Sequence, residues 1–145
     1  MGLQFAETMS GTVEWDAEPG TRHPFRFDIT AHADSIRDHL KTGRAQLRGT
    51  LSAPPVTADA DAEGTIVIRP LGKRIIRYEL AFTGDDGKRY LMVGQKDIRL
   101  LSLIRTFTTL PAQILDEHHR QVGTCLSYFD LRKDWWTFLR SWRPA

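Results

Sequence analysis

The stretch IIRYELAFTGDDGKRYLMVGQKDI, residues 75–98, decides the fold. Two runs that alternate apolar and polar residues flank Gly-Asp-Asp-Gly, the pattern of two half-buried strands joined by a tight turn. Asp86-Gly87 favours a two-residue type I′ turn. Such a turn would set Phe82 opposite Leu91, Leu80 opposite Val93 and Tyr78 opposite Gln95 on one side of the ribbon, and the first two pairs are wholly apolar.

The same period of two extends in both directions. Residues 3–16 place Phe5, Met9, Val13 and Trp15 on one face and Thr8, Ser10, Thr12 and Glu14 on the other. After the turn-rich DAEPGTRHP, the run FRFDITAHA points Phe25, Phe27, Ile29 and Ala31 inward and Arg26, Asp28, Thr30 and His32 outward. SIRDHLKTG has the pattern of a short helical turn closed by Gly43, and AQLRGTLSA resumes strand alternation through Leu47, Gly49 and Leu51. The polar, proline-initiated PPVTADADAEG reads as a loop with room for an edge strand, and TIVIRP as a short strand ended by Pro70. Beyond Ile98 the apolar spacing turns helical at Leu100, Leu101, Leu103, Ile104 and Phe107, and Pro111 is placed to open a second short helix through Ile114 and Leu115. VGTCLSYF returns to strand, with Val122, Cys125 and Tyr128 in imperfect alternation.

Three of the four tryptophans fall in the C-terminal DWWTFLRSWRPA. Asp130 is a suitable N-cap for a helix over 131–143, because its carboxylate can accept the free amides of the first turn. On that helix Leu131, Trp135, Phe138, Leu139 and Trp142 share one stripe, the width of a face packed on a core. Trp136 lies off the stripe beside Arg132, Lys133, Arg140 and Arg143. Cation–π contact with Arg132 or Arg140 accounts for such a ring at roughly 0.5–1 kcal/mol. The alternative is an interface in which Trp136, Arg132 and Arg140 meet an anionic head group, a partner protein or a nucleic acid.

A chain of 145 residues, 41% hydrophobic and 26% charged, has the makeup of one globular domain spanning 1–145. The formal charge of +2 does not advertise a nucleic-acid partner. Cys125 is the only cysteine, which excludes an intrachain disulfide and fits a small buried hydrophobe. The N-terminal residues show no signal-peptide pattern, and no run approaches the roughly 20 apolar residues of a membrane span. The expected location is cytoplasmic.

Motifs of catalysis are scarce. There is no G-x-S-x-G, P-loop, G-x-G-x-x-G, H-E-x-x-H or C-x-x-C. Glu117, His118 and His119 form the densest titratable cluster, but adjacent histidines diverge and chelate one metal poorly. His32 and His39 make a poorer pair still. Asp59, Asp61 and Glu63 lack the glycine and terminal glutamate of a calcium loop. Arg69, Lys73, Arg74 and Arg77 form a basic connection without nucleic-acid-binding aromatics. Lys96, beside Asp97 at the end of an apolar hairpin, is positioned for a barrel mouth. No metal site, cofactor or reaction emerges, and an enzyme is the lesser expectation.

Taken in order, FAETMSG, FRFDITAHAD, AQLRGTLSAP, IIRYELAFTGDDGKRYLMVGQKDI, TFTTLPAQI and VGTCLSYFDLRKDWWTFLRSWR resemble the accessory β-rich domain that accompanies bacterial GMC-type, cholesterol-oxidase-like oxidoreductases. Phe5, Glu7, Met9 and Gly11 fit its first element, and Tyr78, Leu80, Phe82, Gly87, Gly94 and Lys96 its second. Thr108, Thr109 and Leu110 fit the third in part, since LLSLIRTF replaces the aspartate and tryptophan expected upstream. The flavin-binding oxidase is not in this chain, so the resemblance implies a lipid-related or interaction module rather than an oxidoreductase.

The expected fold is mainly β with a minor α part: an antiparallel, calycin- or lipocalin-like barrel or strongly curved sheet, with short helices and the C-terminal helix packed on it. The expected function is a non-catalytic accessory module that binds an apolar or lipid-like ligand in the barrel, lined by Phe25, Phe27, Tyr78, Leu80, Val93 and Lys96. The competing expectation is a protein-interaction or homo-oligomerisation domain with a packed, ligand-free core.

Overall fold

The computed structural model describes residues 3–33, 44–69, 75–97, 109–128 and 143–144. They form β1 (Leu3–Trp15), β2 (Arg22–Ala33), β3 (Arg44–Ala53), β4 (Thr57–Arg69), β5 (Ile75–Thr83), β6 (Arg89–Asp97), β7 (Thr109–Leu115), β8 (Gln121–Tyr128) and the two-residue β9 (Arg143–Pro144). Each of β1 to β7 pairs antiparallel with the next strand, and β8 pairs back onto β1, so eight strands close into an up-and-down barrel. β9 extends the sheet beside β1 at Leu3 and Gln4.

Register fixes the shape of the barrel. From Phe5 the ladder runs through Ala31, Leu47, Gly64, Leu80, Met92, Ile114 and Gly123 and returns to β1 at Trp15, ten residues further along. With roughly 3.3 Å per residue and roughly 4.8 Å between strands, that stagger tilts the strands by roughly 40° from the barrel axis. Such tight curvature brings neighbouring backbones close. A Cβ at Gly11, Gly49 or Gly64 would lie 1.9, 1.9 or 1.7 Å from the carbonyl oxygen of Leu126, Asp28 or Glu79, so only glycine fits these bends.

The strand alternation expected for β1, β2 and β3 is present: Met9, Val13, Trp15, Phe25, Phe27 and Leu51 are buried. Four connections are short and gather at one end, at 16–21, 54–56, 84–88 and 116–120. The far end of the barrel, where β1 begins and β8 finishes, is opposite this hairpin end.

The expected α part is overturned where the described residues reach it, at the helix from Pro111. No helix occurs among the described residues, and none therefore is long and apolar enough to cross a membrane. The helix expected from Pro111 is strand β7, whose burial alternates strictly from Thr109 to Leu115. Pro111 is tolerated there because it stands one position beyond the last β6–β7 pair, Gly94 with Ala112, and faces outward. The alternative of a merely curved sheet also falls, because β1 and β8 are joined over Ser10–Trp15. In PPVTADADAEG only residues 54–56 form a loop: β4 starts at Thr57, runs 13 residues and pairs with both β3 and β5, so it is no edge strand, with Ala62 and Ile66 buried and Asp59, Asp61 and Glu63 exposed. The C-terminal helix expected over 131–143 lies outside the described residues except at Arg143, which is in β9. The helical stretches expected in 35–43 and 100–107 also lie outside them.

The central hairpin is shifted by one residue from the type I′ expectation. Gly84 donates its N–H to the Lys88 carbonyl at 2.9 Å, and Gly87 donates to Gly84 at 3.0 Å with φ at 79°. The loop is therefore Asp85-Asp86-Gly87, a three-residue turn that ends in a left-handed glycine. Phe82 pairs with Tyr90, Leu80 with Met92 and Tyr78 with Gly94. Since side chains alternate, the single-residue slip reverses every face on β6, turning Met92 inward and Val93 outward. The β7–β8 hairpin repeats this turn. Asp116 donates to Arg120 at 2.9 Å and His119 to Asp116 at 3.0 Å, with His119 at φ 60° where Gly87 stands in the other loop.

Candidate functional site

The barrel interior is mostly apolar among the described residues; besides the buried hydroxyls of Thr57 and Ser127, it holds one polar pair. On β1 the inward series Met9, Val13, Trp15 includes Glu7, and on β5 the inward series Ile76, Leu80, Phe82 includes Tyr78. β1 and β5 are four strands apart whichever way the ring is followed, so the two residues face each other across the lumen. The Tyr78 hydroxyl donates to the Glu7 carboxylate, 2.8 Å from Oε2 and 3.1 Å from Oε1. A polar crossbar thus spans an otherwise greasy tube. Burial first, and then the charge of Glu7, holds the Tyr78 phenol well above its ordinary pKa of 10. It therefore remains a neutral donor throughout the physiological range.

Toward the hairpin end the lumen is filled with large side chains. Met9, Phe27 and Leu80 lie immediately beyond the crossbar, and Phe25, Phe82 and Met92 follow, all fully buried. Phe27 meets both neighbouring rings, with centroids 5.9 Å from Phe25 and 6.1 Å from Tyr78. Small residues accommodate large ones. A Cβ at Gly94 would come within 3.0 Å of Leu110, and one at Gly123 within 2.9 Å of Trp15. The Trp15 indole N–H donates to the Pro54 carbonyl at 2.8 Å and closes this end.

Toward the far end the inward wall changes character among the described side chains. It presents Ala31, Ala33 and Ala45 with Leu47, Ile66 and Ile76, all buried. The Glu7–Tyr78 bond thus separates a level packed with rings from a level whose described side chains are aliphatic and partly small.

Of the expected ligand-lining residues, Phe25, Phe27, Tyr78 and Leu80 do converge in the lumen. Val93 does not: its register partners are Glu79 and Gln113, on the outer wall, for the reason of the shifted hairpin. The Lys96 backbone pairs with Ile76, and its side chain lies outside the described residues. Trp136, Arg132 and Arg140 also lie outside them. Glu7 was missed as a site residue in sequence. The available signal was its parity, because it shares the alternation of Met9, Val13 and Trp15, and an acid on an apolar face needs a partner.

Cys125 is buried beside the lumen, and burial pushes its thiol up to about 12, which makes it a poor nucleophile. Among the described residues no three His, Cys, Asp or Glu side chains are grouped to hold a metal. Glu117, His118 and His119 occupy the exposed β7–β8 turn, where Asp116 accepts the amides of His118 and Arg120 at 2.8 and 3.0 Å. These amide bonds keep the Asp116 carboxyl below its ordinary range, the bond from Arg120 having the largest effect. The cluster builds a turn.

Compared with known proteins, the chain matches no family model, no curated protein and no solved structure. Its class is therefore given by its geometry: a closed, antiparallel, eight-stranded barrel with an apolar lumen and one internal polar crossbar.

Proposed function

We propose that the chain is a non-catalytic module that takes the apolar part of a lipid-like ligand at the level of the barrel lined by Ala31, Ala33 and Ala45. The observation that carries this reading is the Tyr78–Glu7 bond, which lies across the lumen beneath an alanine-rich wall. Binding sites for small molecules are mostly apolar with a few fixed polar groups, and eight-stranded barrels are wide enough for one small ligand. Ala31, Ala33 and Ala45 supply the wall, and Tyr78 and Glu7 the polar floor. The rings toward the hairpin end are the rigid support that prevents the ligand from passing further. Resemblance to the companion domain of GMC-type oxidoreductases fits a role beside an enzyme of apolar substrates, and the proposal places the protein in the cytoplasm.

The test is native mass spectrometry of the protein extracted from cells, followed by titration of the delipidated protein with a long-chain fatty acid, a fatty alcohol and a sterol. The reading expects an extra mass of one apolar molecule, or stoichiometric binding of one probe, that Ala45→Phe abolishes while the barrel remains folded. A bare mass together with no uptake of any probe would overturn it.

A second reading, a protein-interaction or oligomerisation domain, is favoured by the outer face of β7 and β8. Pro111, Gln113, Thr124, Leu126 and Tyr128 follow one another there without a charge, and Leu126 and Tyr128 are 39% and 48% exposed. Charge depletion with exposed aromatic surface is the composition of an interface core. Loss of self-association in Leu126→Lys, measured by sedimentation, would favour it.

A further inference from the structure

The hairpin end carries a second concavity, separate from the lumen. Trp15, Val56, Tyr90 and Val122 form the apolar floor of a groove of about 630 Å³, and its rim holds three carboxylates, Glu18, Asp116 and Glu117, against one cation, Lys88, with His118 beside them. The floor is rigid. Trp15 is locked through its N–H to Pro54, while Tyr90 stacks on Phe82 at 5.5 Å and donates its hydroxyl to Asp86 at 2.8 Å.

Charge separates this end from the rest of the chain. The turns that surround the groove carry Asp16, Glu18, Asp85, Asp86, Asp116 and Glu117 against Lys88 and Arg120, although the whole chain has a formal charge of +2. Asp86 and Asp116 are engaged by turn amides. Among the described residues Glu117 approaches His118 at 3.7 Å and Glu18 meets His23 at 3.0 Å, and both rim carboxylates remain partly exposed. A fixed aromatic ring beneath a negative rim is the pairing that attracts an organic cation, through ring quadrupole and charge together.

We propose that this groove docks a basic segment of a partner protein, with a lysine or arginine side chain laid over Tyr90 beside the Trp15 edge and its charge toward Glu18 and Glu117. An acidic segment would meet like charge, and a purely apolar one would leave the rim unmatched. The site is independent of the lumen, so a failure of the ligand reading leaves it standing.

The test is a titration of the full chain, followed by ¹H–¹⁵N NMR, with a hexapeptide of alternating arginine and tryptophan and, separately, one of alternating glutamate and tryptophan. The basic peptide is expected to shift the Trp15 indole and the amides of Val56, Tyr90 and Glu117, with affinity falling as salt rises. Glu18→Gln with Glu117→Gln is expected to weaken binding about fivefold, two partly exposed pairs each contributing modestly. Asp61→Asn with Glu63→Gln, on the outer wall of β4 and outside the groove lining, should leave it unchanged. Equal binding of the acidic peptide, shifts that map elsewhere, or full affinity in the Glu18–Glu117 double variant would overturn the assignment. Concentration-dependent self-association that the same variant removes would also overturn it, by giving the groove to a second copy of this chain.

Discussion

The two levels of the lumen are built from the same strands and differ in what those strands point inward. Beyond the Glu7–Tyr78 crossbar toward the hairpin end, Phe25, Phe27, Phe82, Met9 and Met92 fill the tube, and toward the far end the described inward side chains include Ala31, Ala33 and Ala45. A packed level specifies the fold, since close-packed interiors respond to a change of a single methylene. Alanines bury less apolar area than rings and contribute less to stability. The proposed function assigns binding to that second level, which would divide stability and binding along the axis of one barrel.

The largest expected effect falls on the packed level. Phe27→Ala should cost about 3–5 kcal/mol, read from urea unfolding, since it removes a ring in contact with both Phe25 and Tyr78. Gly64→Ala should cost about 2–4 kcal/mol in the same assay, because the added carbon would lie 1.7 Å from the Glu79 carbonyl and the bend must open. At the crossbar, Tyr78→Phe should cost about 1–3 kcal/mol by depriving the Glu7 carboxylate of a donor. A stability loss confined to the crossbar variant would break the comparison, for it would mean that the rings are not the main support.

Titration offers a smaller test at the hairpin end. Desolvation, then the bond to Asp86, raises the Tyr90 phenol to about 12 from its ordinary 10. A raised folded pKa favours the protonated form, so its contribution is complete below pH 10 and is lost as pH climbs from 10 to 12. Absorbance at alkaline pH should follow Tyr90 in the folded protein with a midpoint near 12, and unfolding midpoints should fall over the same window. The smallest effect is expected at His119. With φ at 60° it holds the left-handed position that Gly87 holds in the matching turn, so His119→Gly should add about 0.5–1 kcal/mol.

Much of the barrel was legible because β1, β2 and β3 alternate strongly apolar residues with polar ones. β4 was not, since Ala60, Ala62 and Gly64 are too small and weakly apolar to stand out against Asp59, Asp61 and Glu63. β7 was mistaken for a helix because Leu110, Ile114 and Leu115 also fit helical spacing and proline commonly opens helices. The candidate site was half legible. Phe25, Phe27, Tyr78 and Leu80 were identified from alternation, but Val93 was lost to a one-residue difference in turn length, which sequence weighs poorly when both Asp-Gly pairing and a flanking glycine are present. Barrel closure, and with it the meeting of Glu7 and Tyr78 across 71 residues, depends on the stagger accumulated over all eight ladders. No local pattern encodes that sum.

A matched pair of substitutions tests the division of the lumen most directly. Ala62→Phe on the packed level and Ala45→Phe on the alanine-lined level add the same ring to the inner wall, and their unfolding free energies can be compared with the parent under identical conditions. The proposed binding level predicts a loss below about 1 kcal/mol for Ala45→Phe against about 3 kcal/mol or more for Ala62→Phe, with only the former blocking uptake of an apolar probe. Equal losses at the two positions would mean that the barrel is solid throughout, and the proposed binding level would be wrong.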